Sequence, residues 1–378
     1  MSKNKLNMFI PADDEAFSCP YADGEKADAQ KWHKIAMDLA ADGALDESLD
    51  AFDSGLELDP KNMMLLRSKA AVLSRFSKKE EAYQVYLTAL SYYPDDAVFL
   101  SGAGCALAES GRVKESLPYF DKSIASDPQF SNPWLGKGIV YSELGNFDKA
   151  IEAYDKAIEL YPDYKEAHFG KAAALGAVGR YHEAVLEFDI TLEINPENPD
   201  VWYFKALALD SLDSADEAVA AYKKAVTLRP EFDDAWNNLG ILLNAIGRFD
   251  EALECFIRAS EIDGGQADVW FNRGYTHAAL GQFDDAAGSF REAIEADPTF
   301  VPAYMEAAFV YVQAGFPDEA VSLYDQAIAL EPTAEAYFGK AIALRVIGDE
   351  ETAGPAFEKA FELDPRYKEI FDSLDFNQ

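Results

Sequence analysis

The stretch Ser131–Tyr164, SNPWLGKGIVYSELGNFDKAIEAYDKAIELYPDY, reads as two amphipathic helices joined by a glycine turn and closed by a proline. Trp134, Gly138 and Tyr141 are spaced i, i+4, i+7, and Ala150, Tyr154 and Ala157 are spaced the same way. Each half therefore carries one stripe at the helical period. Gly145 stands between the halves, where a helix closes on a left-handed residue that glycine adopts without a Cβ clash. Pro162 stops the second helix, because the residue before a proline is pushed out of the helical region.

The same pattern runs outward with a period of 34 residues. Prolines stand at Pro60, Pro94, Pro128, Pro162, Pro196 and Pro230; Gly264 takes the next place, then Pro298 and Pro332, and the last step, to Pro365, is one residue short. With this residue numbered 32, ten units begin at Ala29, Met63, Ala97, Ser131, Lys165, Pro199, Asp233, Ala267, Val301 and Ala334. Position 24 is aromatic in all ten, from Phe52 to Phe357, and all five tryptophans occupy position 4. Position 8 is always glycine or alanine. Small residues let helix backbones approach, and the rings fill the space between one hairpin and the next. One hairpin cannot bury its stripe alone, so stacking must supply the core. Asp148 and Asp250, three residues after the turn glycine, are expected to cap the second helix. Pro118 and Pro355 fall inside second helices and predict a delayed or kinked first turn. Gly264–Gly265 predicts a looser junction.

Composition narrows the functional classes. The chain has 378 residues, 49% of them apolar, which allows a large buried interior. Aspartate and glutamate number 68 against 33 lysines and arginines, a net charge of −35 that repels polyanions and anionic lipid; neither nucleic acid nor a membrane is an expected partner. The ordinary reading of this charge is a solvated surface or an acidic, salt-adapted proteome. Cys19, Cys105 and Cys255 are odd in number and far apart, which suits reduced thiols and no metal site. No signal-like segment or long apolar run occurs, so a cytoplasmic protein is expected.

The ordered tryptophan, glycine, tyrosine, alanine, phenylalanine and proline positions resemble the tetratricopeptide repeat family. The resemblance implies an all-α, right-handed superhelical solenoid of about ten helix hairpins over residues 29–367. Residues 1–28 are expected to form a partly disordered N-terminal extension, and residues 368–378 a capping helix in which Ile370, Phe371 and Leu374 cover the last stripe. Enzymes of this family carry their chemistry in an appended domain, for which these ends leave no room. No catalytic residues and no cofactor are expected: His33, His168, His182 and His277 lie in different units, and GxxxxGK[ST], GxGxxG, HExxH and GxSxG are all missing.

In the family that the chain resembles, positions 2, 5, 9 and 12 of the first helix line the concave surface. Positions 5 and 9 are largely apolar here, which suits a groove for a peptide or helix. The expected partner-binding residues are Phe169, Tyr203, Asn237, Asn238, Phe271, Asn272, Tyr275, Phe309 and Phe338. The asparagines offer amides to an extended backbone. Position 2 supplies Glu166, Asp200, Asp234 and Asp268, whereas the first two units supply His33, Lys34, Arg67 and Arg75, so the groove reads acidic in its middle and basic at its N-terminal mouth. The family's clamp for acidic chaperone tails is not matched, since His33, Met37, Ser68, Val98 and Gly102 stand at its positions. The expected function is a non-enzymatic scaffold or adaptor holding a protein or peptide. The alternative is self-association through an N-terminal segment containing Met8, Phe9, Ile10 and Phe17.

Overall fold

The computed structural model describes residues 25–373, all helix and short connection, with no strand among them. It divides into two compact units, one ending at Pro196 and the other beginning at Glu197. The first holds α1 (Glu25–Ala41), α2 (Leu45–Leu58), α3 (Met63–Arg75), α4 (Lys79–Tyr92), α5 (Ala97–Glu109), α6 (Val113–Ser126), α7 (Asn132–Glu143), α8 (Phe147–Leu160), α9 (Lys165–Ala177) and α10 (Tyr181–Ile194). The second holds α11 (Pro199–Asp210), α12 (Ala215–Leu228), α13 (Asp233–Ala245), α14 (Phe249–Ile262), α15 (Ala267–Ala279), α16 (Phe283–Ala296), α17 (Val301–Gln313), α18 (Pro317–Leu330), α19 (Ala334–Ile347), α20 (Glu350–Leu363) and α21 (Arg366–Ser373). Each odd helix pairs with the next even one as a hairpin, and each unit is an all-α solenoid of such hairpins. Met8, Phe9, Ile10, Phe17, Cys19 and Leu374 lie outside the described residues.

The repeat positions explain the packing. The position-24 ring is buried between the small residues of two consecutive first helices: a Cβ on Gly138 or on Gly170 would stand 2.5 Å from the Tyr154 ring. Eight turn glycines adopt positive φ, and Ser77 and Asp213 take the same conformation where glycine is missing. Position 4 does more than fill space. Trp236 Nε1 donates to the Pro230 carbonyl at 2.9 Å, Trp270 Nε1 to that of Gly264 at 2.9 Å, and the Tyr304 hydroxyl to that of Pro298 at 3.1 Å. A polar tip on a large ring thus ties the first helix to the loop before it.

Three local expectations need correction. Asp148 and Asp250 are not N-caps: α8 and α14 begin at Phe147 and Phe249, and the aspartates lie in the first turn, where they complement the helix dipole. Pro118 and Pro355 do not delay their helices, since α6 and α20 run 14 residues like α8 and α14. Both prolines are exposed, so water can satisfy the carbonyl one turn earlier. The Gly264–Gly265 loop is not loose. Gly265 N–H donates to Asp263 Oδ1 at 2.9 Å and Gln266 Nε2 to Asp233 Oδ2 at 2.6 Å, alongside the Trp270 tie. At the C-terminal end, Phe371 packs its ring 4.6 Å from Phe357, whereas Ile370 is exposed.

Candidate partner-binding face

First helices of the second unit lie side by side, linked by side chains that cross from one to the next. Asn238 Nδ2 on α13 donates to Tyr203 Oη on α11 at 2.9 Å, and Asn272 Nδ2 on α15 donates to Asn237 Oδ1 on α13 at 3.2 Å. Asn244 Nδ2 donates to Thr276 Oγ1 at 2.8 Å, and that hydroxyl donates to the Asn272 carbonyl at 2.7 Å. The three expected asparagines therefore bind their neighbours; Asn237 is buried. Burial and then the nearby Asp234 push the Tyr203 phenol up to about 12, which keeps it neutral and able to accept from Asn238.

The expected apolar residues separate into two classes. Position-5 rings pack inward. Phe271 has its ring 5.6 Å from Phe290 and 5.4 Å from Phe300. Phe338 lies 5.5 Å from Phe357 and 5.0 Å from Tyr367, and Tyr203 lies 4.8 Å from Phe232. In the first unit, Phe169 is buried 6.0 Å from Phe188. Position-9 residues of three consecutive hairpins face outward instead: Ile241 is 44% exposed, Tyr275 53% and Phe309 52%. Ile241 fell on the same sequence stripe, but only the fold sets it apart from Leu207 and Ile342, which are half-buried.

Asp234 on α13, Asp268 on α15 and Glu335 on α19 are exposed, and Glu306 on α17 is half-buried. At about 100° per residue, positions 2, 6 and 9 fall within about 60° of arc, so these carboxylates flank the apolar row. Burial, then Asp233 and Asp268, raise the Asp234 carboxyl above its ordinary value, and burial, then Glu335, do the same to Glu306. Glu306, at position 6, is a group that the reading of position 2 alone passed over.

On the opposite side of α13, a cleft of about 680 Å³ opens between α12, α13 and α14, with Val226, Trp236, Leu239 and Leu243 among its walls. The Lys223–Glu251 ion pair, 2.9 Å, connects α12 with α14 beside it. Three of the four histidines have separate partners: His33 Nε2 meets Ser68 Oγ at 2.8 Å, His277 Nδ1 meets Gln282 Oε1 at 2.7 Å, and His168 lies against Glu187. Among the described residues no group of three metal-ligating side chains comes together, and no helix is long and apolar enough to cross a membrane.

Family models described as tetratricopeptide repeat match residues 67–129, 131–164, 171–231, 232–299, 277–343 and 334–367. The chain belongs to the tetratricopeptide repeat family. No curated protein matches it in sequence. Among solved structures, the C-terminal part of a tetratricopeptide repeat protein from Cytophaga hutchinsonii is 17% identical with a TM-score of 0.56, covering 64% of this chain and 99% of that one, and shares its fold. YrrB, described as a tetratricopeptide repeat protein with an unusual peptide-binding site, is 28% identical over 49% of this chain and 95% of its own, with a TM-score of 0.44. A tetratricopeptide repeat protein from Parabacteroides merdae covers 75% of this chain and 99% of its own at 17% identity and a TM-score of 0.45.

Proposed function

We propose that this tetratricopeptide repeat protein is a non-enzymatic scaffold that holds a polypeptide segment along the first helices of residues 197–378. The family and its fold support protein interaction in general. The observation that carries the finer reading is the row Ile241, Tyr275 and Phe309, large apolar side chains left open at one repeat position in three consecutive hairpins. An apolar strip rimmed by polar groups is the usual surface for a docked segment. Phe271 packs inward on the helix that carries Tyr275, and the Asn272–Asn237 hydrogen bond links α15 to α13.

The reading is tested by replacing Tyr275 with a photo-crosslinking phenylalanine analogue, with the same replacement at the exposed second-helix residue Glu295 as the reference. Crosslinking in the source cell should give discrete polypeptide adducts from position 275, and these should vanish when Ile241 and Phe309 are changed to alanine. Equal adducts from both positions, or adducts that survive the alanine changes, would contradict it.

A further inference from the structure

The exposed row stands beside carboxylates that no described lysine or arginine pairs with. Asp234, Asp268, Glu306 and Glu335 make no hydrogen bond or ion pair with any described residue, although many surface carboxylates of this chain do. The sequences of α13 and α17 contain no lysine or arginine. On α15 the cation is Arg273, which lies over the Trp270 ring at 5.2 Å, at position 7 and so on another side of the helix. On α19, Lys340 pairs with Asp325 and Arg345 with Glu350. Lys340 and Arg345 are thus paired with other carboxylates, and Arg273 lies against a ring.

These carboxylates act on one another instead. Asp234 feels Asp233 and Asp268, and Glu306 feels Glu335. Asp210 is raised as well, by burial and then Asp213, and all three carboxyls belong to first helices of this unit. Like charges held near an apolar surface are relieved by an incoming cation.

Resting on the scaffold reading above, we propose that this face recognises a segment in which lysine or arginine side chains alternate with apolar ones. The apolar side chains lie on Ile241, Tyr275 and Phe309, and the cations meet Asp234, Asp268 and Glu306. Packed helices stand roughly 8–10 Å apart, and a polyproline II segment advances about 3.1 Å per residue with about three residues per turn, so apolar anchors at every third residue keep to one face and match the helices.

Three fluorescein-labelled twelve-residue peptides test this, each with leucine at every third place and lysine, serine or glutamate elsewhere, titrated into the full chain by fluorescence anisotropy. The lysine peptide should bind at least tenfold tighter than the serine peptide, weaken steeply with salt, and outcompete the glutamate peptide entirely. The triple variant Asp234→Asn, Asp268→Asn, Glu306→Gln should lose at least tenfold in affinity for the lysine peptide while its Tm stays level or rises, since repulsion has been removed. A reference variant with the same charge change on second helices, Glu292→Gln, Glu295→Gln, Glu358→Gln, should bind like the wild type.

No binding of the lysine peptide, equal binding of the serine peptide, or equal loss in the reference variant overturns the charge inference. The scaffold reading has its own arm: Tyr275→Ala with Phe309→Ala should weaken whichever peptide binds. If it weakens the serine peptide and neutralisation does nothing, the face stands without its cation preference. If it changes nothing, the face itself fails.

Discussion

The hairpin α9–α10 and the row of first helices α13, α15, α17 and α19 use acidic side chains in opposite ways. In the hairpin, Glu187 is largely buried and fully partnered: Oε2 meets His168 Nδ1 at 2.6 Å and Oε1 meets Lys171 Nζ at 2.6 Å, and that ammonium also reaches Asp155 at 2.7 Å. His168 Nε2 donates to the Pro162 carbonyl at 2.9 Å. A carboxylate and a carbonyl only accept, so both contacts are made at once only by the doubly protonated, cationic ring. Two positive and two negative groups balance. Against its own burial, the Glu187 carboxyl is held below its ordinary value by His168 and Lys171, and the hydrogen bond to Glu187 raises the His168 pKa. On α13 and α17, the Asp234 and Glu306 carboxyls rise instead, because burial and then nearby carboxylates act on them. The lesson is that an overall charge of −35 does not describe either place: one is an internal tie, the other a surface left unbalanced.

Paired substitutions can break this contrast. The largest effect is expected from rings. Phe188→Ala, beneath the paired hairpin, should cost about 3–5 kcal/mol, whereas Phe309→Ala should stay within about 1 kcal/mol because half of that side chain is already in water; urea denaturation compares the two directly. Carboxylates come next. Glu187→Ala strands two cations and should cost about 2–3 kcal/mol, while Glu306→Gln should leave Tm unchanged or higher; similar losses at the two sites would erase the distinction.

Two smaller effects lie in pH. The His168 pKa is raised in the folded state, so the stability from its tie is fully present below the unfolded value of about 6.5 and fades as pH rises through the folded value. His168→Gln should therefore cost most near pH 6 and least near pH 9, read as the gap in Tm from the wild type. Asp234 and Glu306 are also raised, so their favourable contribution is complete below the unfolded values of 3.8 and 4.5 and is lost as pH climbs through the folded ones. The double variant Asp234→Asn, Glu306→Gln should gain on the wild type between pH 4 and pH 7, and a constant gap across that range would count against the repulsion.

Much of the fold was legible because its signals are local. A stripe at i, i+4, i+7, a left-handed glycine and a terminating proline act within one hairpin, and ten copies make them unmistakable. The capping role given to Asp148 and Asp250 failed because a helix start moves by a residue or two with little change in pattern. The asparagines were legible as polar groups on the inner stripe, but their partners lie 35 residues away on another helix, where sequence spacing says nothing of distance.

By itself the sequence determined the hairpin, the period and the rings that lock one hairpin to the next, since these depend on residue size and helical phase. Tertiary structure alone decided which apolar residues are covered. Positions 5 and 9 are separated by about 40° around the helix, and the neighbouring helices close over Phe271 while leaving Tyr275 open. The same placement decides which carboxylates pair with a cation and which stand beside other carboxylates, because charges interact through space and not along the chain.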